Sequence, residues 1–350
     1  MSIAVLLPAL TSLLAFVFAL LLVDQWWDRR HGFQAIWALG MVFFGIASAC
    51  EAIGEAGGWS ESLYRTWYLT GAVFTAAWLG LGTAYLLGKT RFGYAYAALV
   101  LLGGLIAFTA RNTYDAGTLG VLIIIAALVV AIAIAVETYF QNERWPQIAA
   151  LSVVVASVVG AYFSFSNALG GPLPQTGAVP TGAAMAGPVR DISLVLNVPG
   201  GIALVLGALF SAYIFMPKKR VLDYSLDAGQ SGDQFLFNIF LACVAVPVNF
   251  VASLPGAIRA LITGKIHSRV PATLLIAIGG IVVSSADSLS RLGSTDAYSA
   301  GKLVALVLIF LGFLVSSEVF RTIRIPFTNR VLRSARQEPQ TSNAATDGAR

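Results

Sequence analysis

Charged residues, histidine and cysteine are all scarce in this chain of 350 residues. Only 11% of the residues are charged, while 57% are hydrophobic and the mean hydropathy is +0.80. An ordinary soluble domain has about 25% charged residues, so the composition excludes a soluble globular protein. It also excludes a disordered chain, which needs high charge and low hydrophobicity. The composition therefore predicts an all-α polytopic membrane protein.

The same scarcity excludes several kinds of site. The two histidines, His31 and His267, fall at predicted helix ends, so we expect no pair of axial haem ligands at membrane depth. Cys50 and Cys243 lie in separate apolar segments and form no cluster of metal ligands. All five lysines are placed at helix edges or in loops, which leaves no candidate for a Schiff base inside the bundle. We expect no metal, no cofactor and no catalytic residue, and an enzyme is the less favoured class.

Ten apolar stretches approach the length of about 20 residues that crosses a bilayer. They cover residues 3–25, 34–53, 64–88, 92–110, 118–137, 147–167, 192–216, 233–253, 270–290 and 301–321. Such a series predicts a transmembrane helix bundle joined by short loops.

Basic residues alternate between successive loops and predict the orientation of the chain. Eight of them lie in alternate loops: Arg29, Arg30, Lys89, Arg91, Arg144, Lys218, Lys219 and Arg220. Only Arg65, Arg111 and Arg190 lie on the opposite side. Because cytoplasmic loops carry the excess of bases, we expect the N-terminus outside. Six arginines in the C-terminal tail place that end in the cytoplasm.

An outside start and a cytoplasmic end require an odd number of crossings, so one stretch should not cross. The best candidate is 233–253, which carries Asn238, Pro247 and Asn249. We predict that 233–265 forms a re-entrant or interfacial helical hairpin, since such backbone is tolerated where protein buries it. About nine crossings then remain. The alternative is ten crossings with a tail that breaks the charge rule.

These features divide the chain into four parts. They are a seven-helix bundle over 1–220, a cytoplasmic linker and insertion over 221–269, a two-helix hairpin over 270–321 and a basic, partly disordered tail over 322–350. The basic stretch 324–336 also contains Phe327, Val331 and Leu332. We expect it to lie on anionic lipid headgroups and not to bind nucleic acid.

Three groups of short motifs carry a resemblance. They are Leu63-Tyr64-Arg65 with Trp78-Leu79-Gly80-Leu81-Gly82-Thr83, then Asn197-Val198-Pro199-Gly200-Gly201, then Leu275-Ile276-Ala277 with Arg291-Leu292-Gly293 and Phe310-Leu311-Gly312-Phe313. Together they resemble uncharacterised multi-pass membrane proteins of actinomycete-type bacteria, over most of 1–220 and 270–320. The sequence departs from that pattern at 225–268, which resembles an insertion. The resemblance implies no known activity, and the expected location is the plasma membrane of a bacterial cell.

Ionisable side chains inside a bilayer are costly, so each marks a candidate functional position. Several fall at one level near the outer face. The candidate ligand-binding residues there are Glu51, Glu55, Arg65, Tyr68, Asn197, Asp287 and Arg291. Glu51 and Asp287 are the deepest acids and the best ligands for a cation or proton, with Arg65 and Arg291 as expected partners. The alternative is a set of structural pairs between helices, where side chains reach the membrane surface.

Three further segments bear on the site. Residues 197–201 contain Pro199, which predicts a broken or kinked helix beside the outer cluster. Residues 168–191 are rich in glycine, proline, alanine and threonine and predict a flexible extracellular cap or lid. Five tryptophans are expected to anchor the bundle at the membrane interfaces, namely Trp26, Trp27, Trp59, Trp67 and Trp145.

Three functions fit this sequence. The first is a small-solute or ion-coupled carrier with a polar vestibule at the outer face. The second is a non-catalytic accessory subunit or receptor-like bundle, which would bind a protein partner through 225–268. Its candidate docking residues are Asn238, Pro247, Asn249 and Arg259. The third is a lipid-modifying membrane enzyme that uses Glu51, Glu55 and Asp287.

Overall fold

The helices follow closely from the apolar stretches. A computed structural model of the chain describes residues 2–114, 116–178, 180–226, 232–290, 295–315, 322–324 and 331–334. Its helices are α1 (Ile3–Arg29), α2 (Gly32–Gly57), α3 (Glu61–Tyr68), a π-helical segment (Leu69–Thr75), α4 (Ala76–Leu86), α5 (Phe92–Ala110), α6 (Thr118–Tyr139), α7 (Trp145–Ser166), a short 3-10 turn (Gly182–Ala184), α8 (Gly187–Phe215), α9 (Gly232–Ile262), α10 (Arg269–Ser290) and α11 (Thr295–Val315). All ten predicted stretches are helical where they are described, so the all-α polytopic bundle is confirmed.

Helix α8 occupies the middle of the bundle, where it packs against α4, α5 and α10. One apolar core lies among α1, α2, α4, α8, α10 and α11 and includes Phe18 and Trp37. A second core joins α3 to α8 and includes Tyr64 and Ile134. Outward faces are apolar as well, as on α6, where Ile125 is exposed. A helix that is apolar all round is typical of a membrane span.

The crossing of α4 and α8 depends on two glycines. A Cβ atom added at Gly80 would lie 2.4 Å from the Gly200 carbonyl oxygen, and one added at Gly200 would lie 2.4 Å from the Ala76 carbonyl oxygen. Small residues let transmembrane helices approach until their backbones touch. The two helices therefore meet at a contact that no larger side chain permits.

The irregular turn near the outer cluster lies in a different helix from the one predicted. Helix α8 runs continuously through Pro199, so the predicted break at 197–201 is wrong. The π-helical segment between α3 and α4 carries the irregularity instead. Its wide turns displace the usual backbone bonds, and side chains supply others. Thr75 Oγ1 donates to the Thr70 carbonyl at 2.7 Å, and Asn197 Nδ2 donates from α8 to the Ala72 carbonyl.

The predicted hairpin over 233–265 is also wrong in shape. This segment forms α9, a single helix of 31 residues that continues through Pro247 and Pro255. The prolines do not end the helix, because neighbouring polar groups can replace the backbone bonds that they remove. The alternative that this segment lies at the membrane interface remains, and the contacts of α9 with the ends of α8 and α10 bear on it.

Helix α9 lies at one end of the bundle. The Asn249 amide holds the connector after α8, accepting from the Val221 and Leu222 N–H groups at 2.8 and 3.0 Å and donating to the Leu222 carbonyl at 2.8 Å. Ala257 packs in one apolar cluster with Met216, just after α8. The middle of α9 is therefore level with the end of α8.

The chain enters α10 at the same end of the bundle at which it leaves α8. The rings of Phe215 and His267 are 4.8 Å apart, and the Arg269 guanidinium lies 4.3 Å from the Phe215 ring centroid. Further along, a Cβ atom at Gly280 would lie 2.6 Å from Val205, so α8 and α10 are antiparallel. Because α8 ends and α10 begins at the same end of the bundle, the single helix α9 between them makes no net crossing.

These contacts favour nine crossings, although length and hydropathy alone would let α9 span a bilayer and would leave α10 out. Eight of them, α1, α2, the continuous helix Glu61–Leu86, α5, α6, α7, α8 and α11, are long and apolar enough to span a bilayer, and the ninth is α10, whose described apolar part, Arg269–Ser285, is shorter. Following the charge rule, we call the end that carries Glu51 the outer end and the end that carries α9 the inner end. Beyond α11, two short strands, β1 (Thr322–Arg324) and β2 (Val331–Ser334), pair antiparallel, which the sequence did not predict.

Candidate functional site

Glu51, the deepest acid predicted in α2, is the centre of a buried polar cluster. Its side chain forms an ion pair with Lys302 of α11 through Oε2. Its other oxygen, Oε1, accepts from the Trp67 indole at 2.8 Å and from the Tyr298 hydroxyl at 3.4 Å. Glu51 is 3% exposed and Lys302 5% exposed. Three helices therefore meet at one carboxylate.

Lys302 was missed because the start of its helix was placed too late in the chain. The apolar stretch begins at residue 301, which puts Lys302 at the edge of the span. Helix α11 starts at Thr295, so Lys302 lies two turns inside it. The expectation that every lysine lies at a helix edge or in a loop is thus wrong, and so is the pairing of Glu51 with Arg65. Tyr298 lies one turn before Lys302, whose Nζ is 4.4 Å from its ring centroid.

Glu55 shares a cavity with Glu51, one helical turn further along α2. The cavity has a volume of about 10 Å³ and is lined by Ala4, Pro8, Glu51, Glu55, Pro180, Tyr298 and Ser299. Glu55 Oε2 accepts from the Gly177 N–H at 2.8 Å, whereas the buried Oε1 has no hydrogen-bond partner among the described residues. Two carboxylates therefore line a space for about one water molecule, and one of them, that of Glu51, is paired with Lys302.

The loop after α7 folds over this cavity. Pro180 lines it, and the Thr181 carbonyl accepts from the Tyr64 hydroxyl at 2.6 Å. The next residue, Gly182, packs on the ring of Tyr68, where a Cβ atom would lie 2.5 Å from the ring. The loop predicted as a cap is thus held by specific contacts to α2 and α3.

Three of the other predicted site residues hold helices together. Arg65 pairs with Glu61 at 2.6 Å and donates to the Ser164 carbonyl of α7. The Tyr68 hydroxyl lies 3.1 Å from Ser193 Oγ of α8. Asn197 bonds to the π-helical segment, as described above. These contacts match the alternative of structural pairs between helices, and none of the three residues lines the Glu51 cavity.

The remaining predictions have mixed outcomes. The side chain of Asp287 and the whole of Arg291 lie outside the described residues. Trp67 and Trp145 are buried and hydrogen-bonded, so their rings contact protein and not lipid. Of the candidate docking residues in α9, Asn249 is fully buried against the connector, whereas Pro247 and Arg259 are exposed.

Another buried acid, Asp191 in the first turns of α8, was expected at the outer level but was not among the candidate ligand-binding residues. It is 0% exposed, and neither carboxylate oxygen has a hydrogen-bond partner among the described residues. Arg111 is near enough to attract it, but the Arg111 guanidinium donates to the Phe108 carbonyl and lies 3.8 Å from the Phe108 ring centroid. An ionised carboxylate is costly to bury alone. Asp191 therefore differs from Glu51, whose buried carboxylate is paired with Lys302 and hydrogen-bonded.

The comparisons with known proteins give no match from which to infer a function, so the inference rests on the geometry of the site. No protein-family model, no curated protein and no solved structure matches the chain. Within the described part of the chain, no group of three His, Cys, Asp or Glu side chains could hold a metal ion. The Glu51 cluster can instead exchange a proton or bind a small cation in place of the Lys302 ammonium.

Proposed function

We propose that this chain is an ion-coupled carrier of a small solute, with its ion site at Glu51, Glu55 and Lys302. The observation that carries the proposal is the shared cavity, where two carboxylates and a buried ion pair meet at the outer end of the bundle. Ionisable side chains at membrane depth are costly and mark ion and proton pathways. In a carrier the Glu51–Lys302 pair must be able to open, which gives the costly burial of these charges a function.

The charges of the site favour a cation. Glu51 and Glu55 supply two negative charges when ionised, and Lys302 supplies one positive charge. The surplus attracts a proton or a small monovalent cation to the cavity, where Glu55 Oε1 has no hydrogen-bond partner among the described residues. Neutralising Glu51 in this way removes the attraction that holds Lys302.

Opening of the pair would be transmitted between helices. Glu51 links α2 to α11 through Lys302 and Tyr298, and to α3 through Trp67. A ligand can shift a conformational equilibrium only by binding its two forms differently. A cation that replaces Lys302 meets this condition, since it binds only the form in which α11 has released Glu51.

The small size of the cavity supports the interpretation of this form as a closed state of the carrier. About 10 Å³ accommodates a water molecule or a small ion, whereas pockets for organic ligands usually have about 300–1,000 Å³. A solute could enter only after the loop over the cavity moves. The bond from Gly177 to Glu55 ties that loop to one of the two carboxylates that would receive the ion.

The first test is ligand-dependent stability of the purified chain in detergent. Thermal unfolding is followed by tryptophan fluorescence in sodium, potassium, lithium and choline chloride, and from pH 5 to 8 in choline. A bound cation at about 100 times its Kd stabilises the form that binds it by about 2.7 kcal/mol. We expect one metal cation, or the proton, to shift Tm in the wild type but not in Glu51→Gln or Glu55→Gln.

Glu143→Gln is the matched control, because Glu143 is an exposed acid that pairs with Lys89 at 3.5 Å. It should respond to cations as the wild type does. A response to cations and to pH that is identical in the wild type, Glu51→Gln and Glu143→Gln would contradict an ion site at Glu51.

The accessory-subunit alternative depends on the surface of α9. Asn249 faces the connector and is not available to a partner, whereas Pro247 and Arg259 are exposed. The carrier remains the better-supported proposal, because it alone uses the buried pair.

A further inference from the structure

Helix α9 has one exposed apolar face. Its exposed apolar residues recur at helical spacing and include Phe237, Phe240, Val244, Val248, Val251 and Ile258. At 100° per residue these positions fall within about a quarter of the helix circumference. The opposite face carries Asn249, Ser253 and Ala257, which are buried. One face of α9 therefore binds the bundle and the other is presented to the surroundings.

The surroundings of that face follow from the position of α9. Its middle is level with the end of α8 and the start of α10, where two transmembrane helices reach the inner membrane surface. Ser253 Oγ accepts from the Lys219 N–H at 2.8 Å, and Gly256 lies beside Pro217, which fixes the connector along α9. An apolar face at this level meets the boundary between headgroups and acyl chains.

Bases surround α9 at this level. Lys218, Lys219 and Arg220 are exposed on the connector, and Arg259 and Lys265 are exposed at the end of α9 and just beyond it. Over residues 216–270, the sequence contains six bases, these five and Arg269, and three acids, Asp223, Asp227 and Asp233. An apolar face bordered by bases is typical of helices that lie in the plane of a membrane surface, and its bases attract anionic lipids.

We propose that α9 and the bases beside it form a binding surface for anionic phospholipids of the inner leaflet. The apolar face of α9 inserts among the upper parts of the acyl chains, while Lys218, Lys219, Arg220 and Arg259 contact the phosphate groups. This surface replaces the protein partner expected at 225–268. It does not depend on the carrier function, so either proposal can fail alone.

The chain supplies its own probe for the depth of α9. Of its two cysteines, Cys50 is buried and Cys243 is exposed on α9. A nitroxide attached to Cys243 in the reconstituted full-length protein reports its depth through collisions with oxygen and with a water-soluble nickel complex. We expect a depth of about 5–10 Å below the phosphates. A nitroxide at the bilayer centre, in bulk water, or shielded from both reagents would overturn the proposal, the last result indicating a protein contact.

Lipid selectivity is tested with phosphatidylglycerol and phosphatidylcholine. The protein is equilibrated with a mixture of the two, and the lipids retained on it are counted by native mass spectrometry. Arg259→Gln should weaken phosphatidylglycerol binding about fivefold, the effect of one base near an anionic surface. Lys89→Gln removes an exposed base from another inner loop and should change nothing. Equal retention of both lipids, or no effect of Arg259→Gln, would refute the selectivity.

Discussion

At the scale of single residues, we expect the Glu51–Lys302 pair to have the largest effect on the free energy of unfolding. Lys302→Met leaves the Glu51 carboxylate buried without its cation, and breaking a buried pair in this way costs about 3–5 kcal/mol. The double variant Glu51→Gln with Lys302→Met should be more stable than Lys302→Met alone, because no lone charge remains. Thermal unfolding in detergent measures both effects.

Lys89→Met is the control for that comparison. The Lys89–Glu143 pair is exposed on both sides, with side chains 82% and 61% accessible. Exposed pairs contribute about 0–1 kcal/mol, so the loss should be small. Equal unfolding midpoints for Lys302→Met and Lys89→Met would contradict a buried ion pair.

Asp191 and Glu51 should respond in opposite ways to loss of their charge. Asp191 has no described hydrogen bond to lose, so Asp191→Asn should leave the free energy of unfolding unchanged or raise it. Glu51→Gln deprives Lys302 of its partner and should lower that free energy. The two variants are compared by unfolding at one pH in one detergent. A larger loss for Asp191→Asn would mean that Asp191 has an essential partner.

Sequence reasoning found Glu51 and Glu55, because acids in an apolar stretch are conspicuous and their four-residue spacing places them on one helix face. It could not find their partners. The pairing of Glu51 with Lys302 joins residues 251 positions apart and depends on how α11 packs against α1 and α10, which brings Lys302 to α2. A start of α11 misplaced by two turns was enough to hide Lys302.

At the scale of helices, two adjacent glycines in α8 provide a matched pair of variants. Gly200→Ala forces a Cβ atom into the backbone of α4, and overpacking of this kind costs about 1–3 kcal/mol. Gly201 has no atom of a neighbouring element within 4 Å, so Gly201→Ala should be neutral or favourable. Unfolding midpoints distinguish them. Equal effects of the two substitutions would contradict the close crossing of α4 and α8.

The helices themselves could be predicted, because length and hydropathy determine them locally. The stretch predicted at 92–110 coincides with α5. The π-helical segment could not be predicted, because Pro199 makes α8 the helix in which the sequence favours an irregular turn. The structure places the irregularity in the neighbour, where Asn197 supplies the bond that the wide turn needs. The shape of α9 was missed for the same reason, because its prolines suggested a turn that packing removes.

At the scale of the whole molecule, the number of crossings is open to direct measurement. Single cysteines at Gly57, Lys219 and Thr263 are introduced into Cys243→Ser and labelled with a maleimide that cannot cross the membrane. Because α9 makes no net crossing, positions 219 and 263 should label from one side and position 57 from the other. Labelling of positions 263 and 57 from the same side would instead indicate ten crossings.

Loop charges alone favour an odd number of crossings, because the positive-inside rule acts on the whole chain, and the return of the chain to the inner end before α10 agrees with that number. Its contacts were required to identify α9 as the helix that makes no net crossing, since α9 is as apolar as its neighbours. The composition excluded a soluble protein but could not distinguish a carrier from a subunit. The packed bundle adds one observation that the sequence could not supply, namely that Glu51 shares a cavity with Glu55 and pairs with Lys302.

The carrier proposal is tested most directly by cation uptake into sealed liposomes that contain the reconstituted protein. The cation is the one that stabilises the wild type, and Glu51→Gln and Glu143→Gln are measured beside it. We predict uptake above that of protein-free liposomes for the wild type and Glu143→Gln, and none above that level for Glu51→Gln. Uptake by Glu51→Gln at the wild-type rate, or wild-type uptake no faster than protein-free liposomes, would contradict the account.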